Sequence, residues 1–362
     1  MGDFIPGIEL CRRFFFEVIK PIIDESYPSL QYAAALIGGG SEVLGFDTPV
    51  STDHDWGPRT MLFLRDEVHA RLAQEVSLEL SERLPTTFLG YSTNYADPDP
   101  TDLGTRQLAP GNPGAVRHRV DILTIRQFGQ CYLGFDPQSP MSELDWLSVS
   151  EQKLRAFTGG AVFHDEIGLQ GVRDRLAYYP RDVWLYQLAA TWTRIGQEEH
   201  LMGRAGQIGD ELGSALIGAR LVRDLMRLCF LYERTYAPYA KWFGTAFGCL
   251  TNGQALAPAL SRALSAQAWR ERESALTEAY GTVAALHNLA NITEPMPTAP
   301  KQFFGRPFQV ISQHGFADAI RRAISDPDLA SKPLIGGIDL ISDNTDLISN
   351  TVFRDGVRNL YD

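Results

Sequence analysis

The spacing of apolar residues predicts a helix near the start of the chain. Between residues 8 and 23, apolar side chains recur every three or four positions, which is the period of a helix with one buried face. The following segment "QYAAALIG" (31–38) is almost entirely apolar and predicts a buried strand. Residues 66–83 return to helical spacing, with charged side chains on the outward positions. The first part of the chain is therefore expected to mix helices and strands.

Further strands are predicted in "WGPRTMLFLR" (56–65), "TTFLGYST" (86–93) and "RHRVDILTI" (117–125). In the last of these, polar and apolar residues roughly alternate, as they do in a strand with one buried face. A stretch rich in Asp, Pro and Gly covers 96–115, and an irregular loop of that length in a compact domain is usually functional or mobile. We therefore expect the strands to carry the sheet and this loop to border a site.

The pattern changes after about residue 135, and from 142 to 290 nearly every segment has helical spacing. At 362 residues the chain is longer than one hydrophobic core usually grows. We therefore predict a mixed α+β domain over 1–135 and a helical domain over 136–290. The last region, 291–362, is rich in Pro and Gly and is expected to be a C-terminal tail that packs on the other domains.

One long helix is predicted within "GDELGSALIGARLVRDLMRLCFLYER" (209–234). Its apolar positions, beginning with Leu212 and Leu216, predict one buried stripe. On the opposite face Arg220 and Arg227 are spaced to pair with Asp224 along the same helix. We therefore expect a solvent-exposed row of ion pairs there.

Composition places the chain among ordinary globular proteins, with 44% hydrophobic and 21% charged residues. No uninterrupted apolar stretch reaches the roughly 18 residues that a membrane span needs, and the N-terminus does not have the pattern of a signal peptide. We therefore expect a cytoplasmic protein without membrane partners. The cysteines have no CxxC spacing, which argues against a zinc site and a disulfide framework and favours reduced, buried thiols. The net charge of −11 disfavours bulk nucleic-acid binding, although a local basic pocket stays open.

Candidate chemistry lies in "LIGGGSEVLGFDTPVSTDHDWGP" (36–58). Glycines after a strand allow a tight turn and a close approach of a ligand, and the N–H groups of such a loop suit phosphate oxygens. Asp53 and Asp55 are two residues apart, so on an extended segment their carboxylates would share one side. Two neighbouring carboxylates favour a divalent cation such as Mg²⁺, which also binds phosphate. These parts together are typical of a phosphoryl or nucleotidyl transfer site.

Gly40 and Ser41, followed after eleven residues by "DHDW", resemble the signature of the DNA polymerase beta-like nucleotidyltransferase superfamily. The wider arrangement resembles a bacterial nucleotidyltransferase-like family of unknown function with a helical C-terminal domain. That resemblance rests on "RVDILTI" (119–125), "YYPRDVW" (178–184), "GRAGQIGDELGSALIGARLVRD" (203–224) and "YAPYAKW" (236–242). It implies a mixed sheet with helices, followed by a helical bundle as in the nucleotidyltransferases that modify aminoglycosides.

The resemblance implies two Mg²⁺ ions held by Asp53, Asp55 and Asp121, which are also the catalytic residues. A nucleoside triphosphate would place its phosphates over Gly39, Gly40 and Ser41. The implied reaction is transfer of a nucleoside monophosphate to a hydroxyl-bearing acceptor, with release of pyrophosphate. The acidic balance favours a small molecule or a protein as acceptor over bulk RNA, and a tRNA end stays open. A catalytically inactive nucleotide- or partner-binding module on the same fold is the alternative.

Two further residues belong to the predicted site. Relatives of this type often use a lysine from the helical domain on the triphosphate, and Lys241 in "YAPYAKWF" matches that role, although a solvated lysine beside Trp242 is an equal alternative. Arg204 lies in a glycine-rich segment that predicts a close approach, so it is included as a nucleotide contact.

Three other sequence patterns match a functional site less well. The aspartates of the Pro-rich loop compete with Asp121 for the role of third carboxylate, but aspartate is expected in turns; they are Asp97, Asp99 and Asp102. His164 and Asp165 resemble a phosphohydrolase dyad without its second half, so a turn or helix cap is the interpretation. A dinucleotide-binding unit needs an apolar helix directly after its glycines, and "FDTPVSTDHD" (46–55) is not one.

Overall fold

The computed structural model describes residues 4–101, 104–111 and 114–361. It divides into two compact units, each described separately below: Met1–Pro140 with Lys153–Ala177, and Met141–Gln152 with Tyr178–Asp362. The chain thus leaves the first unit after residue 140 and returns to it for 153–177. The domain boundaries at 135 and 290 stay predictions.

The α-helices are α1 (Gly7–Phe14), α2 (Lys20–Ser26), α3 (Asp66–Arg83), α4 (Ile125–Tyr132), α5 (Glu143–Ser148), α6 (Glu151–Thr158), α7 (Leu169–Arg175), α8 (Arg181–Gln207), α9 (Glu211–Tyr232), α10 (Ala240–Cys249), α11 (Thr251–Ser265), α12 (Trp269–Leu289), α13 (Phe316–Arg322), α14 (Pro327–Ser331), α15 (Ile338–Ile341), α16 (Thr345–Ser349) and α17 (Arg354–Arg358). The strands are β1 (Ala33–Leu36), β2 (Arg59–Phe63), β3 (Thr87–Phe88), β4 (Tyr91–Ser92), β5 (Arg119–Leu123), β6 (Ala161–Asp165), β7 (Lys301–Gln302) and β8 (Gln309–Val310).

A four-stranded mixed sheet forms the centre of the first unit, in the order β5-β2-β1-β6. Strand β1 runs antiparallel to both of its neighbours, and β2 runs parallel to β5. The register sets Met61 of β2 opposite Asp121 of β5. The predicted helix over 8–23 is confirmed as α1 and α2, joined by a π-helical turn over Phe15–Ile19.

Both faces of this sheet are covered. On one face, Phe14 and Phe15 from the N-terminal helical segment pack with Leu80 of α3 against strand residues such as Leu36 and Leu62. On the other face lies a row of phenyl rings, in which Phe128 of α4 contacts both Phe63 and Phe157. The sheet is therefore a rigid base, and the loop after β1 starts from buried backbone.

The second unit is helical. Helix α8 packs against α9, α12 and α13, and its residues Trp184 and Trp192 are buried. Trp184 donates its indole N–H to the carbonyl of Leu231 at 2.7 Å, and Trp192 donates to the hydroxyl of Tyr232 at 2.8 Å. A mixed sheet in one unit and a helical bundle in the other confirm the predicted α+β class.

The four cysteines are free thiols, as predicted, but only Cys11 and Cys229 are buried. Cys131 and Cys249 are exposed, so the expectation of buried thiols is wrong for these two. They lie on the solvent-facing sides of α4 and α10. Burial raises the pKa of the Cys11 thiol to about 12, despite the opposing charge of Arg59.

Candidate functional site

The loop after β1 carries the three glycines, and its shape depends on Gly40. This residue has φ +136°, and a Cβ atom there would lie 2.7 Å from Nη2 of Arg59 and from both carboxylate oxygens of Glu42. A side chain cannot fit in that space. At Gly39, in contrast, the described part of the chain leaves more than 4 Å around a Cβ position. The backbone at Gly39 is therefore where a ligand has room to approach.

A buried ion pair between Glu42 and Arg59 supports this loop. Nε of Arg59 donates to Glu42 at 3.1 Å, and Nη2 of Arg59 donates to the carbonyl of Gly39 at 2.9 Å. Burial acts to lower the pKa of Arg59, but the charge and hydrogen bond of Glu42, together with Cys11 and Tyr95, outweigh burial, and the pKa lies above its ordinary value. The guanidinium thus stays charged and ties the glycine turn to strand β2.

The segment with Asp53 and Asp55 is not extended, so the predicted strand geometry of this pair is wrong. Asp53 ends a 3₁₀ helix over Pro49–Asp53, which begins with a capping box at Thr48. Asp55 has φ +48°, in the left-handed region that aspartate tolerates better than most residues. Proline and the Thr48 cap favour a tight helical turn here, and strand β2 begins only at Arg59.

The two carboxylates have different partners. Asp53 is 63% exposed and accepts from the backbone N–H of His54 at 3.1 Å, with the Nδ1 of His54 at 3.0 Å. Asp55 is 40% exposed, and its Oδ1 lies 2.5 Å from Nη1 of Arg119. The same Oδ1 accepts from the backbone N–H of Arg106 at 3.3 Å. Asp53 is thus open to solvent, whereas Asp55 faces a cation of its own chain.

Arg119 is a site residue that the sequence analysis missed. It lies at the start of β5, and its guanidinium carbon is 5.6 Å from the centre of the Tyr95 ring. The Asp- and Pro-rich loop contributes too, because the N–H of Asp55 donates to the carbonyl of Arg106 at 2.8 Å. The alternation of β5 could have indicated Arg119, since it shares a strand face with Asp121.

Asp121 lies in the middle of β5 and is exposed. It borders an open groove of about 640 Å³ whose other lining residues include Gln74, His118 and Phe128. Among the residues that the structure describes, no three His, Cys, Asp or Glu side chains come together in a way that could hold a metal ion. The structure therefore does not group Asp121 with Asp53 and Asp55, and its metal-binding role stays a prediction.

The loop aspartates that compete with Asp121 for the role of third carboxylate have ordinary structural roles among the residues that the structure describes. Asp97 pairs with Arg117 at 2.9 Å, and Asp99 accepts from the N–H of Thr101 at 2.8 Å in a turn. Asp102 lies outside the described residues. Asp165 accepts backbone N–H groups from residues 167–170, and these bonds outweigh burial and lower its pKa. These bonds agree with the interpretation of Asp165 as a turn or cap residue before α7.

The chemistry of Asp53 and Asp55 fits Mg²⁺. Proteins commonly bind this ion through one or two carboxylates, with water and substrate phosphates as the other ligands. Both side chains are at least partly exposed and lie in one short loop. They are therefore the described residues that would hold such an ion, with Arg119 as its competitor for Asp55.

Lys241 and Arg204 belong to the second unit. Lys241 follows the first residue of α10, is exposed, and lies 4.9 Å from the ring of Trp242. Arg204 is exposed in the last turn of α8. The glycines next to it do serve a close approach, but the partners are aromatic residues of the same unit. A Cβ atom at Gly203 would lie 2.6 Å from Phe308, and one at Gly206 would lie 2.2 Å from Trp269.

The predicted row of ion pairs along α9 is wrong. Asp224 is buried and pairs with Arg194 of α8 at 3.1 Å, and burial raises its pKa to about 6. Arg220 instead pairs with Glu198 of α8. The apolar stripe also fails at its start, because Leu212 and Leu216 are exposed. The polar face of α9 therefore meets α8.

Comparisons with known proteins agree with part of the predicted resemblance. A family model described as a domain of unknown function (DUF4037) matches residues 146–243. This range contains three of the four segments on which the resemblance to a family of unknown function rests, so that resemblance is confirmed. No curated protein matches the chain.

The structure is similar to the crystal structure of a nucleotidyltransferase-like protein from Exiguobacterium sibiricum 255-15. The two chains are 12% identical, the likeness covers 76% of this chain and 74% of that chain, and the TM-score is 0.32. A structural likeness this weak does not indicate an activity for this chain. In the described ranges, we find no helix that combines the length and the apolar character needed to cross a bilayer.

Proposed function

We propose that the protein is a magnesium-dependent nucleotidyltransferase. It would move a nucleoside monophosphate from a nucleoside triphosphate to a hydroxyl-bearing acceptor and release pyrophosphate. One observation supports this proposal above all. The loop from β1 to β2 contains both the open backbone at Gly39 and the exposed carboxylates of Asp53 and Asp55. Phosphate and Mg²⁺ need these groups together.

Each residue of the loop has a distinct role in this proposal. Asp53 and Asp55 would hold Mg²⁺, which supplies positive charge to the phosphates and lowers the pKa of an acceptor hydroxyl when bound. The backbone of Gly39 would face the phosphates, while Gly40 keeps room for the Glu42–Arg59 pair. Arg119 adds a fixed positive charge beside Asp55, where negative charge develops during transfer.

Four further residues belong to the proposed site. Asp121 would be the third carboxylate and would accept the proton of the acceptor hydroxyl. Lys241 and Arg204, which belong to the second unit, stay predictions as contacts of the triphosphate. Ser41 would complete the phosphate loop through its hydroxyl group.

A second candidate function follows from the partner of Asp55. Arg119 already neutralises this carboxylate at 2.5 Å, so Asp55 is paired without a divalent ion. A non-catalytic module on the same fold, which binds nucleotide without transferring it, would not need a metal ion at this carboxylate. The two functions differ in whether nucleotide is consumed.

The test is label transfer. The full-length protein is incubated with Mg²⁺, a fractionated bacterial lysate and each of the four α-labelled nucleoside triphosphates. We expect label to move into protein, RNA or a small molecule, and we expect Asp53→Asn and Asp55→Asn to abolish the transfer. Asp97→Asn is the matched control, because Asp97 is an exposed aspartate of the same unit that pairs with Arg117.

The outcomes separate the two functions. Transfer that depends on Asp55 but not on Asp97 supports the enzyme and names its nucleotide. Nucleotide binding without transfer in any fraction supports the non-catalytic module. Transfer that survives both Asp53→Asn and Asp55→Asn would refute the assigned site.

A further inference from the structure

A strained and exposed aromatic residue lies in the second unit. Strands β7 and β8 form a short antiparallel hairpin, and Phe304 in its connection has φ +46°. The side chain of Phe304 is 79% exposed. A bulky residue rarely adopts this backbone conformation, and the exposed ring gains little from burial in return. Such strain is concentrated at functional sites.

The hairpin is firmly anchored, so the exposed ring is held in place. Phe308 is buried against Gly203 of α8 and lies 6.1 Å from the ring of Trp269 at the start of α12. Nη1 of Arg270 donates to the carbonyl of Pro307 at 2.9 Å. Contacts with α8 and α12 thus hold the hairpin in place, and Phe304 projects from this anchored segment.

Cationic residues lie on and beside the same hairpin, in which the Phe304 ring contacts the ring of Phe303 edge-on with 4.9 Å between ring centres. We call this region the hairpin surface and define it by Arg204, Arg270, Lys301, Phe303, Phe304 and Arg306. Phe303 stacks on His200 with 4.3 Å between ring centres, and the guanidinium carbon of Arg306 lies 5.9 Å from the Phe303 ring.

Positive charge also acts on His200. Burial lowers the pKa of His200, and the charges of Arg204 and Arg306 lower it further. Arg270 has one acidic partner, Glu273, at 3.2 Å. The hairpin surface is therefore locally basic on a chain whose net charge is −11.

An exposed aromatic ring beside guanidinium groups has the chemistry that binds single-stranded nucleic acid. Bases stack on the aromatic face, and the cations contact the phosphates. A duplex hides its base faces, so a single isolated ring favours unpaired strands. RNA carries a hydroxyl on every ribose, and it therefore also satisfies the acceptor chemistry of the proposed transfer.

We propose that the hairpin surface binds single-stranded RNA, with a base stacked on Phe304 and a phosphate on Arg306. This deepens the proposed function, on which it rests for one consequence: the acceptor hydroxyl belongs to RNA. Binding itself needs no transfer, so the two are tested separately.

The binding test uses the full-length protein and a 5′-fluorescein-labelled oligoadenylate of about ten nucleotides. Fluorescence anisotropy gives Kd at several salt concentrations. Phe304→Ala should raise Kd about tenfold, the size of effect expected when one stacked base loses its ring. Phe304→Leu should weaken binding as well, because leucine keeps apolar area without an aromatic face. Arg306→Gln should reduce the slope of log K against log salt by about 0.7.

Matched controls lie on other elements of the same unit. Phe353→Ala removes another exposed phenyl ring, and Arg322→Gln removes another exposed cation. Both should leave Kd unchanged. Circular dichroism of each variant checks that the fold is retained.

Several results would overturn the inference. These are the absence of oligoadenylate binding by the wild-type protein, equal binding by Phe304→Leu and wild type, and tighter binding of duplex RNA than of the single strand. Sedimentation with vesicles of phosphatidylserine and phosphatidylcholine that depends on Phe304, without RNA binding, would assign the surface to lipid instead.

Asp55→Asn separates this inference from the proposed function. Oligoadenylate binding by wild type and Asp55→Asn, with no label transfer by either, supports the hairpin surface and refutes the transferase. Transfer of label to a small molecule, without oligoadenylate binding, supports the transferase and refutes the hairpin surface.

Discussion

Nη1 of Arg119 lies 2.5 Å from Oδ1 of Asp55, so a strand residue of the chain itself neutralises one of the two carboxylates proposed to hold magnesium. Both side chains are partly exposed, and an ion pair of this kind contributes at most about 1 kcal/mol to stability. Its main effect is expected on cations that compete for Asp55.

Replacing Arg119 should therefore tighten binding of a divalent ion. In Arg119→Gln the carboxylate of Asp55 is no longer occupied by a guanidinium, so we expect the Kd for Mn²⁺ to fall severalfold in the absence of nucleotide. Electron paramagnetic resonance of free Mn²⁺ measures this directly. Arg117→Gln is the control, because Arg117 pairs with the exposed Asp97. An unchanged Kd in Arg119→Gln would argue against Asp55 as a ligand.

The buried pair below the loop should matter far more for stability. Glu42→Gln leaves the charge of Arg59 buried without its carboxylate, and removal of one partner of a buried pair costs about 3–5 kcal/mol. Urea denaturation gives the free energy of unfolding. Glu25→Gln, which breaks the exposed pair with Arg83, should cost less than about 1 kcal/mol. Equal losses in the two variants would contradict this account of the loop.

Neighbouring glycines of the loop should respond in opposite ways. Gly40→Ala places a Cβ atom against Glu42 and Arg59 in a positive-φ conformation, so it should lower the free energy of unfolding by about 2 kcal/mol. Gly39→Ala has space and should keep stability within about 0.5 kcal/mol. If phosphates approach the backbone at Gly39, this variant should nevertheless bind nucleotide more weakly. Thermal unfolding and nucleotide titration of both variants test the two expectations, and unchanged nucleotide affinity in Gly39→Ala would move the phosphates elsewhere.

The pH dependence of stability should report Glu199. This residue of α8 accepts from the N–H groups of Ile311 at 2.8 Å and of Ser312 at 3.1 Å, but burial outweighs these bonds and raises its pKa to about 7. Between the ordinary pKa of glutamate and about pH 7, the folded protein holds this proton more tightly than the unfolded chain. Stability from this group is therefore present at low pH and is lost as pH rises toward 7.

The size of the contribution of Glu199 to stability follows from the shift of its pKa. Across this window wild type should lose up to about 3 kcal/mol relative to Glu199→Gln, since glutamine does not titrate. Urea denaturation of both proteins at several pH values gives the difference, which removes the contributions of Asp224 and the histidines. Asp328→Asn, at an exposed aspartate, should behave as wild type. Parallel pH profiles for wild type and Glu199→Gln would show that the carboxyl is not perturbed.

The strained backbone at Phe304 should lower the free energy of unfolding. Phe304→Gly removes an exposed ring and restores a residue that accepts φ +46°, so the free energy of unfolding should rise by about 1 kcal/mol. Phe353→Gly is the control, because Phe353 has an ordinary φ of −85° and glycine there should stabilise nothing. Differential scanning calorimetry compares the two. A loss of stability in Phe304→Gly would mean that the ring contributes to packing.

Much of the fold was predictable, because periodicity reports burial. The spacing over 66–83 predicted α3 with its observed bounds, and the alternation in 117–125 predicted β5. The strand after residue 160 was not predicted. Strand β6 is half-buried and follows α6 almost directly, so its short apolar run looks like part of a helical region.

The candidate site was predictable as a segment but not as a geometry. Sequence spacing indicated Asp53 and Asp55, yet the 3₁₀ helix and the positive φ at Asp55 depend on local turn chemistry that a strand template ignores. Arg119, Glu42 and Arg59 were missed for another reason. Their importance comes from pairing across 17 to 64 residues of sequence. Pairing at that distance leaves no local pattern for Glu42 and Arg59, and the one local signal for Arg119 is the strand face that it shares with Asp121.

On α9 the same limit led to a wrong prediction. Helical spacing allows Asp224 to pair with Arg220 or Arg227, and a single sequence cannot show that α8 offers Arg194 and Glu198 instead. Partners on another helix decide which face is buried, and this also explains why Leu212 and Leu216 remain exposed.

The chain returns to the first unit only at residue 153, and this determines which N-terminal fragments can fold. Strand β6 covers the open side of β1 only after the chain has passed through residues 141–152. A nascent or truncated polypeptide that ends near residue 140 would hold the alanines of β1 as an uncapped sheet edge, and such edges pair with other chains. Expression of the N-terminal part alone should therefore yield aggregates, whereas a fragment extended to residue 177 carries its own cover for that edge.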